Sequence, residues 1–378
     1  MSGRIAALDV LRGVAILGTF GTNVWVFTHP RGAAGFLADF GAGSGDTATA
    51  LLQMISNGKF LGLLSIMFGI GLAIQHRSAE RRGRPWPGWY LWRSALLLFE
   101  GLLHYALVFE FDVLMFYAVV SVLVAYLVGR GPRVQLAWMA AAGALNLAVV
   151  GLITAALLLT GGTAVGDPGL APVGDSWWAG VQARVEHFAV FRAEGFLVLP
   201  LSTLLFLAGA RLFRAGALED SPRGARLQRR LVAWGLGLGV PLNVATTLAG
   251  PAWFAVDRYV CAPLVAFGLL GGITLLVNAL RAEAGPLRRG LTAVGRSALS
   301  CYIGQNVLAS VLCYQWGLGL AQRWGHLGPW FTAGVWLLVS GLLPAGASWW
   351  MRRFPRGPVE AVWDRAYRAP QRQHTVAA

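Results

Sequence analysis

Residues 101–119 read GLLHYALVFEFDVLMFYAV. Most of this stretch is apolar, yet it holds His104, Glu110 and Asp112, and Glu100 lies just before it. Whether it belongs to a soluble core or to a membrane decides the fold, and composition makes the choice. The chain of 378 residues is 56% hydrophobic and 13% charged, against about 25% charged residues in a soluble domain. Its mean hydropathy is +0.58. Length alone would suggest two or three soluble domains, but long apolar spans override that expectation.

Working outward from the quoted stretch, apolar runs of about 20 residues, the length a span requires, recur along the whole chain. Ten are expected: 5–27, 48–75, 91–109, 111–128, 134–160, 196–214, 231–250, 257–280, 292–315 and 328–350. The third and fourth are joined by almost no linker, so the quoted stretch reads as a tight hairpin with Glu110 and Asp112 at its mouth. The ninth is broken by small and polar residues. The expected fold is therefore an all-α polytopic membrane bundle of about ten transmembrane helices, forming a single transmembrane domain over 1–378. A five-helix part covers 1–160, an extracytoplasmic loop 161–195, and a second five-helix part 196–378. The loop ends in AGVQARVEHFAVFRAEG, which suits an amphipathic surface helix.

Net charge is +14, carried by arginine; Lys59 is the only lysine. The arginines sit in alternate gaps: Arg77, Arg81, Arg82 and Arg84; Arg130 and Arg133; Arg214, Arg223, Arg226, Arg229 and Arg230; Arg281, Arg288 and Arg289; and Arg352, Arg353, Arg356, Arg365 and Arg368 in the tail. The intervening gaps hold only Arg31, Arg184, Arg192 and Arg323. Cytoplasmic loops carry the excess of basic residues, so both termini are expected in the cytoplasm. The basic charge thereby finds its explanation in topology, and no nucleic-acid partner is expected.

Cys261, Cys301 and Cys313 lie in apolar runs without CxxC spacing, which gives neither a disulfide framework nor a metal site. The N-terminal run continues without a small-residue cleavage site and contains Asp9 and Arg12, so it does not read as a cleavable signal peptide. There is no Walker lysine motif, HExxH or GxSxG, and no GxGxxG opening a helix after a strand. An ATPase or a familiar hydrolase is thereby disfavoured.

Ionisable residues inside spans are costly and are functional candidates by default. Asp9 and Arg12 share a helix face at i and i+3; the plain reading is a local ion pair at a span end. Lys59 lies within the second run; the plain reading is a stem that snorkels to an interface. Glu100 and His104 share a face at i and i+4, where a carboxylate could fix one imidazole tautomer. The plain alternative is a polar pair that glues helices. Asp112, Glu110 and Tyr117 follow, and convergence of several titratable groups on one hairpin points to chemistry. AVGRSALSCYIGQNVLAS adds Arg296, Tyr302, Gln305 and Asn306, with the last three on one polar face. The tail MRRFPRGPVEAVWDRAYR reads as an interfacial segment in contact with anionic lipid.

LDVLRGVAILGTFGTNVWVF, KFLGLLSIMFGIGL, GLLHYALVFEFDVLMFYA, AVGRSALSCYIGQNVL and RFPRGPVEAVWDRAY, in that order, resemble the YeiB-like bacterial inner-membrane proteins that end in the domain of unknown function 418. Gly-Arg-x-Ala-Leu and Arg-Gly-Pro-x-Glu are the most specific of these motifs. That family is grouped with transmembrane acyltransferases, including the lysosomal heparan glucosaminide acetyltransferase. The shared feature is Asp9-x-x-Arg12-Gly13 with Asn23 fourteen residues after Asp9. The resemblance implies a multi-pass protein of the bacterial inner membrane that moves an acyl group from cytosolic acyl-CoA, a cosubstrate rather than a bound cofactor, to an acceptor on the outer side.

The related acetyltransferase uses a histidine just after its first span, where His29 stands here at a shorter spacing. The histidine of GLLH recurs in YeiB-like proteins, which favours His104 as base, oriented by Asp112 or Glu100. In the acyltransferase-3 family a histidine stands near the positions of Thr22 and Asn23, and this chain has none there. Asn23, Tyr302 and Gln305 are expected to donate to the developing oxyanion, and Arg12 and Arg296 to meet CoA phosphates. Asp9, Lys59 and Tyr117 complete the substrate-binding candidates. The expected partners are membrane lipids, a small-molecule, lipid or glycan acceptor, and a second copy of the chain. The competing reading is a transporter of a small metabolite or lipid, since buried charge in ten spans serves that equally well.

Overall fold

A computed structural model describes residues 5–39, 47–161, 170, 176–280 and 285–376, with side chains as far as Pro370. The Gly/Pro-rich opening of the 161–195 segment falls almost wholly outside the described residues, as does Arg281. Among the described residues the chain is helical throughout and contains no strand. In order these helices are α1 (Ala6–Thr28), α2 (Gly32–Ala38), α3 (Thr47–Ser56), α4 (Lys59–Arg81), α5 (Trp89–Leu107) and α6 (Leu114–Val128). Then come α7 (Pro132–Leu159), α8 (Trp177–Glu186), α9 (Phe188–Arg192), α10 (Gly195–Arg214), α11 (Pro222–Leu248) and the single turn α12 (Phe254–Val256). A π-helical turn, Asp257–Cys261, leads into α13 (Ala262–Ala279), followed by α14 (Pro286–Arg296), α15 (Ala298–Cys313), α16 (Leu320–Trp324), α17 (Pro329–Arg353) and α18 (Pro358–Val376).

Seven helical stretches among the described residues are long and apolar enough to cross a membrane: Ala6–Thr28, Thr47–Arg81, Pro132–Leu159, Phe188–Arg214, Pro222–Leu248, Pro251–Ala279 and Pro329–Arg353. The other three apolar runs also become helix, each with a physical reason for falling short. α5 has the length, but Arg93, Glu100 and His104 interrupt its hydropathy. α6 has 15 residues, about 22 Å at 1.5 Å per residue, against a hydrocarbon core of about 30 Å. The run 292–315 is two helices, α14 and α15, broken at Ser297. The apolar surface of the bundle faces outward where lipid is expected: Leu152 on α7, Trp234 on α11 and Leu248 are more than 70% exposed. The three cysteines are free and buried.

Glycines let the central helices touch backbone to backbone. A Cβ on Gly69 of α4 would overlap the carbonyl of Phe206 on α10, and a Cβ on Gly209 of α10 would overlap the carbonyl of Ile66 on α4. The crossing is reciprocal, so neither helix can yield. Gly13 of α1 meets Leu291 of α14, and Gly295 of α14 meets Asp9 of α1, in the same manner. Gly69→Val is expected to cost about 3 kcal/mol, because the obstacle is backbone. Gly151→Ala on α7, where a Cβ meets nothing within 4 Å, is expected to leave stability unchanged or to raise it by up to about 1 kcal/mol. Thermal unfolding of both variants in detergent checks the contrast; equal melting temperatures would remove the crossing as a constraint.

One end of the bundle gathers several of the arginine-bearing turns. Trp86 donates to the Ala125 carbonyl at 2.7 Å, and Arg214 to the Val128 carbonyl at 2.5 Å. There the last helix locks two others together. Glu360 of α18 accepts from the backbone N–H groups of Leu299 (2.8 Å) and Ser300 (3.2 Å) and from the Ser300 hydroxyl. It thus caps α15 through amides that lack partners within the helix. A side chain at Gly357 would collide with Glu360 and Ser300. The motifs Gly295–Leu299 and Arg356–Glu360 are therefore two halves of one joint. α18 also reaches α5: Trp92 donates to the Ala366 carbonyl at 3.2 Å, and Arg93 stacks on Trp363 at 4.6 Å.

Candidate functional site

The mouth of the α5–α6 hairpin is organised around Asp112. α5 ends at Leu107 and α6 begins at Leu114, so Asp112 falls in the intervening turn. Its Oδ2 accepts the first amide of α6, Leu114 N–H, at 2.9 Å. Its Oδ1 lies 2.9 Å from His104 Nδ1 and accepts from the Tyr302 hydroxyl at 3.2 Å. The imidazole Nδ1 therefore carries the proton and donates it to the carboxylate. Nε2 is left as an acceptor, and the Asn306 amide donates to it at 3.2 Å. Asn306 Oδ1 in turn accepts from Asn23 of α1 at 3.3 Å. The rings of His104 and Tyr302 lie 5.1 Å apart. The side chains of His104 and Asp112 are 1% and 0% exposed. A relay from Asn23 through Asn306, His104 and Asp112 to Tyr302 thus joins three helices and the hairpin turn in a dry interior.

Two arginines that topology had marked as exceptions brace this turn. Arg184 of α8 pairs with Glu110 at 2.8 Å and donates to the Ala106 carbonyl at 2.9 Å. The Tyr105 hydroxyl donates back to the Arg184 carbonyl. Arg192 of α9 donates to the carbonyls of Asp112 (2.7 Å) and Glu110, with its guanidinium 4.2 Å from the Tyr105 ring centre. Glu110 is therefore part of the clamp rather than of the relay. The sequence signal for the clamp is slight: two arginines eight residues apart in a gap otherwise poor in them.

The remaining candidates divide. Glu100 is buried one turn from His104 on α5, but neither of its oxygens has a hydrogen-bond partner among the described residues; Asp112, not Glu100, orients the imidazole. Gln305, fully buried beside Tyr302 and Asn306 on α15, also has both amide atoms without a partner among the described residues. Tyr117 lies in the core, exchanging a hydrogen bond with Ser65 at 2.7 Å and donating to the Leu61 carbonyl at 3.1 Å. His29 is held by Asp39 at 3.0 Å and by the Arg31 amide at 3.1 Å, apart from the relay. Asp9 and Arg12 form the i,i+3 pair at 4.0 Å near the α1–α14 crossing, and Arg296 ends α14 beside it.

Lys59 belongs to a second buried network. Gly58 takes a left-handed conformation that ends α3 and starts α4, and Lys59 donates to the Met54 carbonyl this turn leaves open. Next to it, Asp257 on the π-helical turn accepts from Asn57 at 2.8 Å, from Thr246 at 3.0 Å and from Asn243. Asn57 accepts from Arg258 at 3.0 Å, and Arg258 pairs with Glu194 at 2.9 Å. No group of three or more His, Cys, Asp or Glu side chains suited to a metal ion occurs among the described residues.

Residues 212–369 match the family described as "Protein of unknown function (DUF418)". The Bacillus subtilis (strain 168) protein named "Uncharacterized protein YxaH" is 24% identical across 96% of this chain and 94% of its own length. The Escherichia coli (strain K12) protein named "Uncharacterized protein YeiB" is 29% identical across 95% of both chains. No solved structure matches the chain.

Proposed function

We propose that this chain, a YeiB-like member of the DUF418 family, is an integral-membrane acyltransferase that uses His104 as its base. The observation that carries the reading is the relay itself: a buried imidazole whose Nδ1–H is held by a carboxylate and whose Nε2 faces a side-chain amide. The finer topology belongs to the same proposal. About ten spans of the bacterial inner membrane, with both termini cytoplasmic, follow from arginine in alternate gaps.

In this reading an acceptor hydroxyl or amine takes the place of the Asn306 amide at Nε2. His104 removes its proton as the acceptor attacks the acyl carbonyl, while Asp112 stabilises the imidazolium. Asn306, now released, and the unpartnered Gln305 amide supply donors for the oxyanion, and Asn23 holds Asn306 in register. Collapse of the tetrahedral intermediate breaks the C–S bond. The imidazolium proton passes to the departing CoA thiolate, leaving acylated acceptor and CoA thiol. Burial of His104 and Asp112 at 1% and 0% exposure keeps water from the thioester. The acceptor class is a small molecule, lipid or glycan carrying a hydroxyl or amine.

A second reading has its own observation. The π-helical turn Asp257–Cys261 interrupts a spanning segment and carries Asp257 and Arg258, with Glu194 paired to Arg258 and Lys59 beside Asp257. Broken helices with buried charge characterise transporters. One experiment separates the two. Purified protein in nanodiscs is incubated with labelled acetyl-CoA and a panel of hydroxyl- and amine-bearing acceptors, and CoA release is followed. Acceptor-dependent release supports the acyltransferase. Absence of release and of CoA binding with every acyl-CoA removes it in favour of transport.

A further inference from the structure

On the bundle surface α14 and α17 leave an open groove of about 490 Å³. Pro344, Ala345 and Met351 form much of its apolar wall, and Arg289, Ser348 and Arg352 supply its polar groups. Among the described residues no acidic side chain lines it, and neither arginine is engaged by a carboxylate. The groove lies apart from His104 and takes no part in the chemistry above.

We propose that this groove is a binding site for one anionic phospholipid, whose phosphate sits between Arg289 and Arg352 and whose chains run along α17. Three independent features carry this. The first is a stripe on the outward face of α17. Leu338, Leu342 and Trp349 are 48%, 51% and 55% exposed, and Ala345 and Arg352, both groove residues, continue the same helical spacing. An apolar track thus leads directly to a guanidinium. The second is the level at which the track ends. Arg353 stacks on Trp349 at 4.4 Å, and a tryptophan beside arginines marks the headgroup region of a bilayer. The third is α14, a short amphipathic helix whose Leu287 is 77% exposed while Arg288 and Arg289 follow it, as in helices that lie in the interface.

The same phosphate chemistry could serve a nucleotide. Among the described residues the lining offers no aromatic face for a base, whereas it is continuous with lipid-facing surface, so the groove commits to lipid. Each arginine near an anionic headgroup contributes attraction that a zwitterionic headgroup largely cancels.

The test is native mass spectrometry of the full chain in detergent, titrated separately with phosphatidylglycerol and with phosphatidylcholine of the same chains. Wild type is expected to retain one phosphatidylglycerol with about tenfold or greater preference, consistent with two arginine contacts. Arg289→Gln with Arg352→Gln is expected to bring the preference to within about twofold, and Arg289→Lys with Arg352→Lys to keep most of it. Arg226→Gln with Arg230→Gln on α11 is the control and should keep the preference. Equal loss in the control would show diffuse surface charge and overturn the site, as would an unchanged double glutamine variant. Displacement of the bound lipid by CoA or by inorganic phosphate would overturn the lipid assignment in favour of a soluble phosphate ligand. Melting temperatures within a few degrees of wild type confirm that the variants are folded.

Discussion

If the proposed acyl transfer is the activity, His104→Gln is expected to lower it by about a hundredfold to ten-thousandfold, the range for removal of a general base, while the bundle remains folded. Glutamine has similar length and can donate to Asp112, so the hairpin turn keeps its hydrogen bond to Leu114 and the Arg192 brace is untouched. What disappears is the group proposed to accept a proton from the acceptor and return it to the thiolate. Asp112→Asn is expected to fall in the same range by a different route. An amide can accept the Nδ1–H, but it supplies no negative charge to stabilise the imidazolium, and its own N–H₂ favours the wrong tautomer. CoA release and melting temperature, measured side by side, check both variants. Activity of His104→Gln within about threefold of wild type would assign the relay to helix packing alone.

Arg184→Met is expected to destabilise the protein by about 3–5 kcal/mol, the cost of leaving one charge of a buried pair uncompensated. Its side chain is 4% exposed and that of Glu110 is 3% exposed, so neither charge finds water when the other is removed. The pair also bears on the relay, because Glu110 and Asp112 share one turn. Arg184→Met combined with Glu110→Gln restores much of the loss, since a neutral amide is cheaper to bury than a lone carboxylate. Denaturant unfolding of the two single variants and the double closes a cycle. A double variant no more stable than the worse single one would mean that Glu110 is neutralised by some other group.

The wide reading of the fold was available from sequence because hydropathy is additive and local. Seven long apolar helices are evident in it, and the weaker runs are weak for reasons visible in their residues, such as Arg93, Glu100 and His104 in α5. The His104–Asp112 contact was within reach because eight residues and a tight turn separate the two. Asn306 was visible as part of a polar face, but its partnership with His104 spans 202 residues, and that of Tyr302 with Asp112 spans 190. Periodicity carries no information about which faces meet at such range. Asp112 and Glu100 were both offered as the carboxylate that orients His104, and sequence spacing could not choose between them: i,i+4 spacing places Glu100 on the same face of α5, but Asp112 reaches Nδ1 from the turn. Lys59 was read as a snorkelling stem or a substrate-binding residue; what spacing did not show is that the left-handed Gly58 opens the end of α3 and gives the ammonium a carbonyl. Arg184 and Arg192 were counted as topological exceptions; their burial against a turn 74 to 82 residues away is a tertiary fact.

The joint between Glu360 and α15 has a consequence for how the protein is made. α15 precedes α18 in the chain, so until α18 docks the amides of Leu299 and Ser300 lack the carboxylate that receives them. Before that, the helix that carries Tyr302 and Asn306 is held by its packing against α1 and α17. Docking of α18 is therefore expected to fasten the first turn of α15 late in folding, and a chain truncated before Pro358 is expected to keep the seven long apolar helices with that turn uncapped.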